Sequence, residues 1–319
     1  MPGTFKVISP GLLTTVQDLG RFGFQQYGMT PAGAMDPFAL QVGNLLLGND
    51  IAEAAFEINY LGPVMEVLKD ALIVVSGGNL SPVIDGNPLP MWEVACIRKG
   101  QVLGFGKIKN GCRAYVAVAG GIDVPVIMGS KSTFLRGKMG GFKGRQLLPG
   151  DILSTSSINA NIWKRMGQRL PARLIPNYDV IEPIRVVMGP QDNYFTATAL
   201  NTFLTSKYTV GMESDRMGYR MEGPKLMHKN TADIISDGVP LGAIQVPGSG
   251  TPIILMADRQ TTGGYTKIAT VISIDIPALA QLKPGNSIYF NRITVDKAQQ
   301  LWRQQQVVFE ELKSSCVTK

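Results

Sequence analysis

ALIVVSGGN, residues 71–79, is an apolar run rich in Val and Ile that closes on two glycines and an asparagine. Branching at Cβ stiffens Val and Ile and suits them to a pleated surface, while Gly and Asn allow the chain to turn. RAYVAVAGG (113–121), IRVVMGPQD (184–192) and TPIILMADR (251–259) read the same way. All four are strand signals. Helical periodicity is clear in only a few places, notably 36–47 and 294–314. In the first, Asp36 before Pro37 forms an N-cap and first-turn pair: the carboxylate accepts from free amides, and proline has no amide to leave unpaired. In the second, Leu301, Val308 and Leu312 give a partial apolar stripe, as expected of a packed terminal helix.

Composition supports a chain of strands and turns. Gly 36 and Pro 20 are high among 319 residues, and only 17% are charged against 45% apolar, which argues against a helical bundle and against disorder. At roughly 150 residues per domain, the length predicts two domains. Lys and Arg number 31 against 24 Asp and Glu, a net charge of +7 that favours an anionic ligand or acidic partner. The basic residues are dispersed without interleaved aromatics, so nucleic acid is not an expected partner. The single histidine, His228, and the scattered Cys96, Cys112 and Cys316 offer no metal-ligand spacing, so no metal is expected. An odd cysteine count fits a reducing compartment, and MPGTFKVISPG lacks the features of a signal peptide. With no apolar run near the ~20 residues a membrane span needs, a cytoplasmic location is expected, with no membrane association.

A weak internal repeat runs through the chain. VVSG (74–77) resembles VVMG (186–189), GCRAYVAVA before residue 120 resembles GTPIILMAD before 259, and LLPGDIL (147–153) resembles LKPGNSIYF (282–290), in the same order. This predicts two divergent copies of one β-rich domain, at 1–165 and 184–319, the second with the terminal helix. The basic, then proline-punctuated segment between them gives a linker at 166–183.

Three clusters carry potential chemistry. In 235–271, a loop between strands begins Asp258, Arg259, Gln260 and continues through Thr261, Thr262, Gly263 and Gly264 to Tyr265 and Lys267. Paired glycines let backbone approach a ligand, and the polar side chains supply donors and acceptors suited to a carboxylate or amide substrate. A hairpin whose Asp and Thr satisfy their own backbone would use the same residues. In 14–40, Arg21 is a fork for a carboxylate, and GAMD leads into a helix whose amino end can hold an anion; Asp18 and Arg21 can equally pair with each other, and Asp36 can serve as a cap alone. In 213–224, ESDRMGYRMEGP sets Arg216 among carboxylates, which also suits a surface salt-bridge network. Glu57 and Asn59, on a strand, are aimed by alternation either into a cleft or at solvent, and His228 reads as exposed.

Taken together, the strings GLLTTVQDLGR, GAMD, VSGG, SDRMGYR, DGVPLGAIQVPG, DRQTTGGY and LKPG identify a resemblance covering nearly the whole chain. The sequence resembles the allophanate hydrolase subunit 2 family, also called the biotin-dependent carboxyltransferase family, and its stand-alone bacterial members, the C subunits of 5-oxoprolinase. Two departures stand out: Ala243 replaces the usual Ser of GSIQ, and Thr266 replaces the Pro that usually follows GGY.

The resemblance implies two cyclophilin-like β-barrel domains with peripheral helices in a mainly β fold. It implies a hydrolase acting on a cyclic amide: the C subunit of an ATP-dependent complex with 5-oxoprolinase subunits A and B that opens 5-oxo-L-proline to L-glutamate. The alternatives it carries are transfer of a carboxyl group from carboxybiotin to urea or a similar amide, and a binding protein that antagonises a histidine-kinase inhibitor. No GxxxxGK[ST] string occurs, so ATP is expected on another subunit; no Met-Lys-Met string occurs, so biotin, in the alternative, would arrive on another protein. Within this frame Arg21 or Arg216 would hold a carboxylate, and Gln245 and Gln260 amide groups. Asn59, Thr262, Tyr265 and Lys267 would complete the substrate contacts, with Asp36, Glu57 or Asp258 as candidate catalytic groups for proton transfer or orientation.

Overall fold

The computed structural model describes residues 3–158, 160–179 and 182–317. The expected linker includes Val180 and Ile181, which lie outside the described residues, as do Met1 and Pro2 at the head of the segment read as lacking a signal peptide. The architecture is mainly β, with 34% strand against 20% helix, as expected from the sequence. Two compact units are present: Met1–Phe22, Ala32–Asp179 and Glu311–Lys319 form one, Gly23–Pro31 and Val180–Glu310 the other.

The first unit holds a seven-stranded and a five-stranded sheet. In the latter, Leu13–Gln17, Ala55–Asn59, Asn110–Val118, Ala71–Asn79 and Val94–Ile97 are neighbours in that order, all antiparallel. Val16, Phe56, Ile58, Ala114, Val116, Ile73 and Val75 enter the apolar core from one face. Side chains alternate along a strand, so the residues between them point to the opposite face. The helix Pro37–Leu47 covers part of that face, with the Ser76 hydroxyl donating to the Ala39 carbonyl at 2.7 Å. Asp36 caps this helix as expected, its Oδ1 accepting from the Ala39 amide at 2.9 Å.

The second unit is built on a nine-stranded sheet whose long strand Thr262–Val271 pairs with Ile184–Met188, Ala243–Val246 and Asp233–Gly238. The VVSG strand pairs directly with the strand of RAYVAVA, whereas the VVMG strand pairs with Thr262–Val271 and not with Ile253–Leu255. The strand that occupies the matching sheet position is therefore TGGYTKIATV; the likeness of TPIILMAD to RAYVAVA reflects shared β composition. The LLPGD and LKPGN turns do correspond: Gly150 at φ 85° and Gly285 at φ 90° donate their amides to the Val7 and Val210 carbonyls. A positive φ is open to glycine at little cost.

The terminal helix spans Val295–Val317. Of the expected stripe Leu312 is buried and Leu301 and Val308 are half-buried, and Phe309, outside that stripe, is buried as well. Among the described residues no helix is long and apolar enough to cross a membrane, and no group of three His, Cys, Asp or Glu side chains is placed to hold a metal ion. Neither Cys96 nor Cys112 forms a disulfide among the described residues.

Candidate functional site

In the first unit the non-core face of the five-stranded sheet carries a polar cluster on the strands Leu13–Gln17, Ala55–Asn59 and Asn110–Val118. Register places Thr15 opposite Glu57 and Glu57 opposite Tyr115, with Gln17 two residues along and Asn59 opposite Arg113. Thr15, Gln17, Glu57, Arg113 and Tyr115 are all buried. Glu57 is thus turned away from solvent, while Asn59 is half-buried with its Oδ1 sealed off.

Glu57 and Asp36 share one network. The Tyr115 hydroxyl donates to Glu57 Oε2 at 2.7 Å and accepts from the Asp36 amide at 2.8 Å, while the Met35 amide donates to the same Oε2 at 2.9 Å. Asp36 Oδ2 accepts from the Tyr178 hydroxyl at 2.9 Å. Both carboxylates anchor the segment that starts the helix. Burial, with Glu57 and Asp36 nearby, raises the Tyr115 pKa well above the ordinary phenol value, so its proton stays in place.

Arg21 is fully buried, and its Nη2 donates to the Ser132 carbonyl at 2.6 Å. Gly140 makes room for it, since a Cβ there would lie 2.6 Å from Arg21 Nη2 and 2.0 Å from the Ser132 carbonyl oxygen. Asp18 does not pair with Arg21. Its carboxylate accepts from the Ser130 and Ser132 hydroxyls and the Gly20 and Lys131 amides instead, at 2.5–2.7 Å. Gln17 donates to Thr15 Oγ1 and the Thr133 carbonyl, while its Oε1, like Asn59 Oδ1, is buried and accepts no hydrogen bond among the described residues.

In the second unit, Arg216 and Asp258 form a buried bidentate pair, with Nε to Oδ2 at 3.0 Å and Nη2 to Oδ1 at 2.9 Å. On the surface of 213–224, Glu213 and Arg220 lie 3.5 Å apart, both exposed, and Asp215 accepts from the Met217 and Gly218 amides in a turn. Arg216 turns inward because a fork donor can satisfy both oxygens of one buried carboxylate. His228 is half-buried rather than exposed, 3.0 Å from the Thr266 hydroxyl and packed on Phe195 with ring centroids 4.6 Å apart. Burial lowers its pKa.

Gln245, Gln260 and Lys267 come together. Gln260 Nε2 donates to Gln245 Oε1 at 3.3 Å, and Gln245 Nε2 to the Tyr265 carbonyl at 3.4 Å. A Cβ on Gly263 would sit 2.6 Å from Gln245 Nε2 and 3.4 Å from Gln260 Nε2, so glycine is what lets the strand pass under both amides. Gln245 pairs in register with Lys267, which is 2% exposed and donates to Asp237 Oδ2 at 2.8 Å. That hydrogen bond lowers the Asp237 pKa, keeping the exposed partner anionic. Thr262 and Tyr265 lie on the exposed part of the strand.

The structure thus assembles the candidates as two sets, Arg21, Asp36, Glu57 and Asn59 in one unit and Arg216, Gln245, Asp258, Gln260 and Lys267 in the other. Sequence reading missed Tyr115, which strand alternation from Glu57 would have found once the register was known, and Asp237, whose link to Lys267 spans 30 residues. It also gave Arg259 no role.

The family profile described as "Carboxyltransferase domain, subdomain A and B" matches residues 27–292. The C subunit of 5-oxoprolinase from Escherichia coli is 37% identical over 96% of this chain and 97% of its own length. That of Haemophilus influenzae is 37% identical, covering 94% of each. Urea amidolyase of Saccharomyces cerevisiae is 32% identical over 98% of this chain, which spans only 18% of that protein. The crystal structure of Kluyveromyces lactis urea carboxylase superposes with a TM-score of 0.91 at 32% identity, over 98% of this chain and 29% of that one. End-to-end similarity of this kind, on a shared fold, makes the chain a member of the carboxyltransferase domain, subdomain A and B, family.

Proposed function

We propose that this chain is the C subunit of a cytoplasmic, ATP-dependent 5-oxoprolinase that opens 5-oxo-L-proline to L-glutamate together with the A and B subunits. The observation that carries the reading is the Gln245–Gln260 amide pair over Gly263. A lactam presents its N–H and C=O on one edge, and a carboxamide side chain presents the complementary acceptor and donor. Two relatives matched along nearly their whole length are named as the C subunit of 5-oxoprolinase, which supports the choice.

Opening the ring requires breaking amide resonance, which ATP accomplishes by phosphorylating the amide oxygen before water attacks. The chain has no Walker-type string, so in this reading the nucleotide is held by another protein of the complex. Gln245 and Gln260 orient the lactam edge, Lys267 supplies positive charge behind it, and Asp258 holds Arg216 in place. Asp36 and Glu57 fix the entry to the first helix.

A carboxyltransferase reading remains the second, favoured by the similarity to urea amidolyase; urea offers the same amide edge, and carboxybiotin would come in on another protein. The decisive experiment reconstitutes the chain with the A and B subunits and measures glutamate release from 5-oxoproline. ATP-dependent release that stops when this chain is omitted is the expected result. Release without it, or carboxylation of urea in the presence of carboxybiotin carrier, overturns the assignment.

A further inference from the structure

Arg259 differs from the other buried cations of its unit. Arg216 is matched by Asp258, Lys267 by Asp237 and the half-buried Arg185 by Asp275. Arg259 is 8% exposed, yet its hydrogen bonds go only to backbone: Nε to the Val239 carbonyl at 2.9 Å and Nη1 to the Met256 carbonyl at 3.3 Å. No carboxylate pairs with it among the described residues, and its Nη2 makes no hydrogen bond while not being sealed from solvent. Burial pulls its pKa down to about 10, with no acid opposing the shift, and it stays cationic at neutral pH.

Its place links it to the amide pair. Val239, whose carbonyl holds Arg259 Nε, has its Cγ2 3.2 Å from the Cβ position of Gly263, beneath Gln245 and Gln260. A guanidinium fixed by two carbonyls, with a free edge and no counter-charge, is ready for a planar anion. Arg216, its fork filled by Asp258, is not.

We propose that Arg259 is the seat of the substrate's carboxylate, next to the Gln245–Gln260 amide site. This rests on the reading of that loop as the substrate pocket. The same chemistry has two sources: the α-carboxylate of 5-oxoproline, or the carboxyl group of an N-carboxylated urea.

Calorimetric titration of the full chain with two matched pairs tests the proposal: 5-oxoproline against 2-pyrrolidinone, and allophanate against urea. The wild-type chain binds the carboxylate-bearing member of one pair at least tenfold more tightly, and the pair that shows the preference identifies the source. In Arg259→Gln the preference disappears while the neutral member binds as before. Arg259→Lys, which keeps the charge without the fork, retains part of it and serves if the glutamine variant melts early. Equal affinity within both pairs in the wild type, or a preference that survives Arg259→Gln, overturns the proposal. Failure of reconstituted glutamate release with Arg259-dependent binding intact sinks the oxoprolinase reading alone.

Discussion

Arg216 and Asp258 meet as fork and carboxylate, two parallel hydrogen bonds of 3.0 and 2.9 Å between side chains only 6–7% exposed. The Asp258 amide also donates to the Arg216 carbonyl at 2.8 Å, so the pair fixes the start of the loop that carries Arg259 and Gln260. Removing one partner leaves a buried charge uncompensated, at a cost of about 3–5 kcal/mol. Asp258→Asn is therefore expected to lower the melting temperature by on the order of 10 °C. Combining Arg216→Met with Asp258→Leu should recover much of the loss, because no isolated charge remains. A melting curve for Asp258→Asn that matches the wild type would show that the pair does not hold the loop.

Tyr115 joins Glu57 to the Asp36 amide at the head of the first helix. Phenylalanine would fill the same space but leave a buried carboxylate oxygen short of a donor and a buried amide without its acceptor. The expected loss for Tyr115→Phe is about 1–3 kcal/mol, read as a lower urea midpoint with an unchanged slope. A change in slope would mean that the compactness of one of the two states had changed as well.

Gly263 separates function from stability. Its added Cβ in Gly263→Ala would meet the Gln245 amide nitrogen at 2.6 Å, the far end of a side chain that can swing aside. The strand should survive, since no positive φ is required there, while the Gln245–Gln260 pair is displaced. Gln260→Ala removes the same pair from the other side. Each is expected to reduce glutamate release by the reconstituted complex by roughly tenfold, the worth of about one hydrogen bond, with the melting temperature nearly unchanged. Full activity in both variants would move the amide site elsewhere.

Local features were legible in the sequence because they depend on neighbours in the chain. The strand at 71–79, the Asp36 cap with Pro37 and the two Pro-Gly turns all follow from side-chain shape or backbone freedom within a few residues. Pairings across the fold were not. Arg216 and Asp258 are 42 residues apart, and nothing near Arg216 distinguishes an inward fork from the surface network that ESDRMGYR also permits. TPIILMAD resembles RAYVAVA without sharing its place for a similar reason: β composition is common to many strands, whereas sheet position is set by long-range pairing. Glu57 could be aimed by alternation, but Tyr115, 58 residues on, could be found only through register.

Thr266, at the position where the family string usually carries proline, gives the last prediction. Its amide donates to the Ala232 carbonyl at 3.0 Å, a bond proline cannot make, and its hydroxyl lies 3.0 Å from His228 Nε2 and donates to the Val246 carbonyl at 3.3 Å. Burial disfavours the charged ring and sets its pKa below the usual value of about 6.5. A histidine whose pKa is lower in the folded state binds fewer protons there, so its contribution to stability is fully present above about pH 6.5 and is lost as pH falls through the folded value. The chain has one histidine, so a single imidazole resonance reports the titration without assignment. Its midpoint is expected below about 6.5, and His228→Gln should flatten part of the stability loss between about pH 7 and pH 5 relative to the wild type. A midpoint at or above the usual value would mean that the ring is solvated, and that the Thr266 contact does not persist in solution.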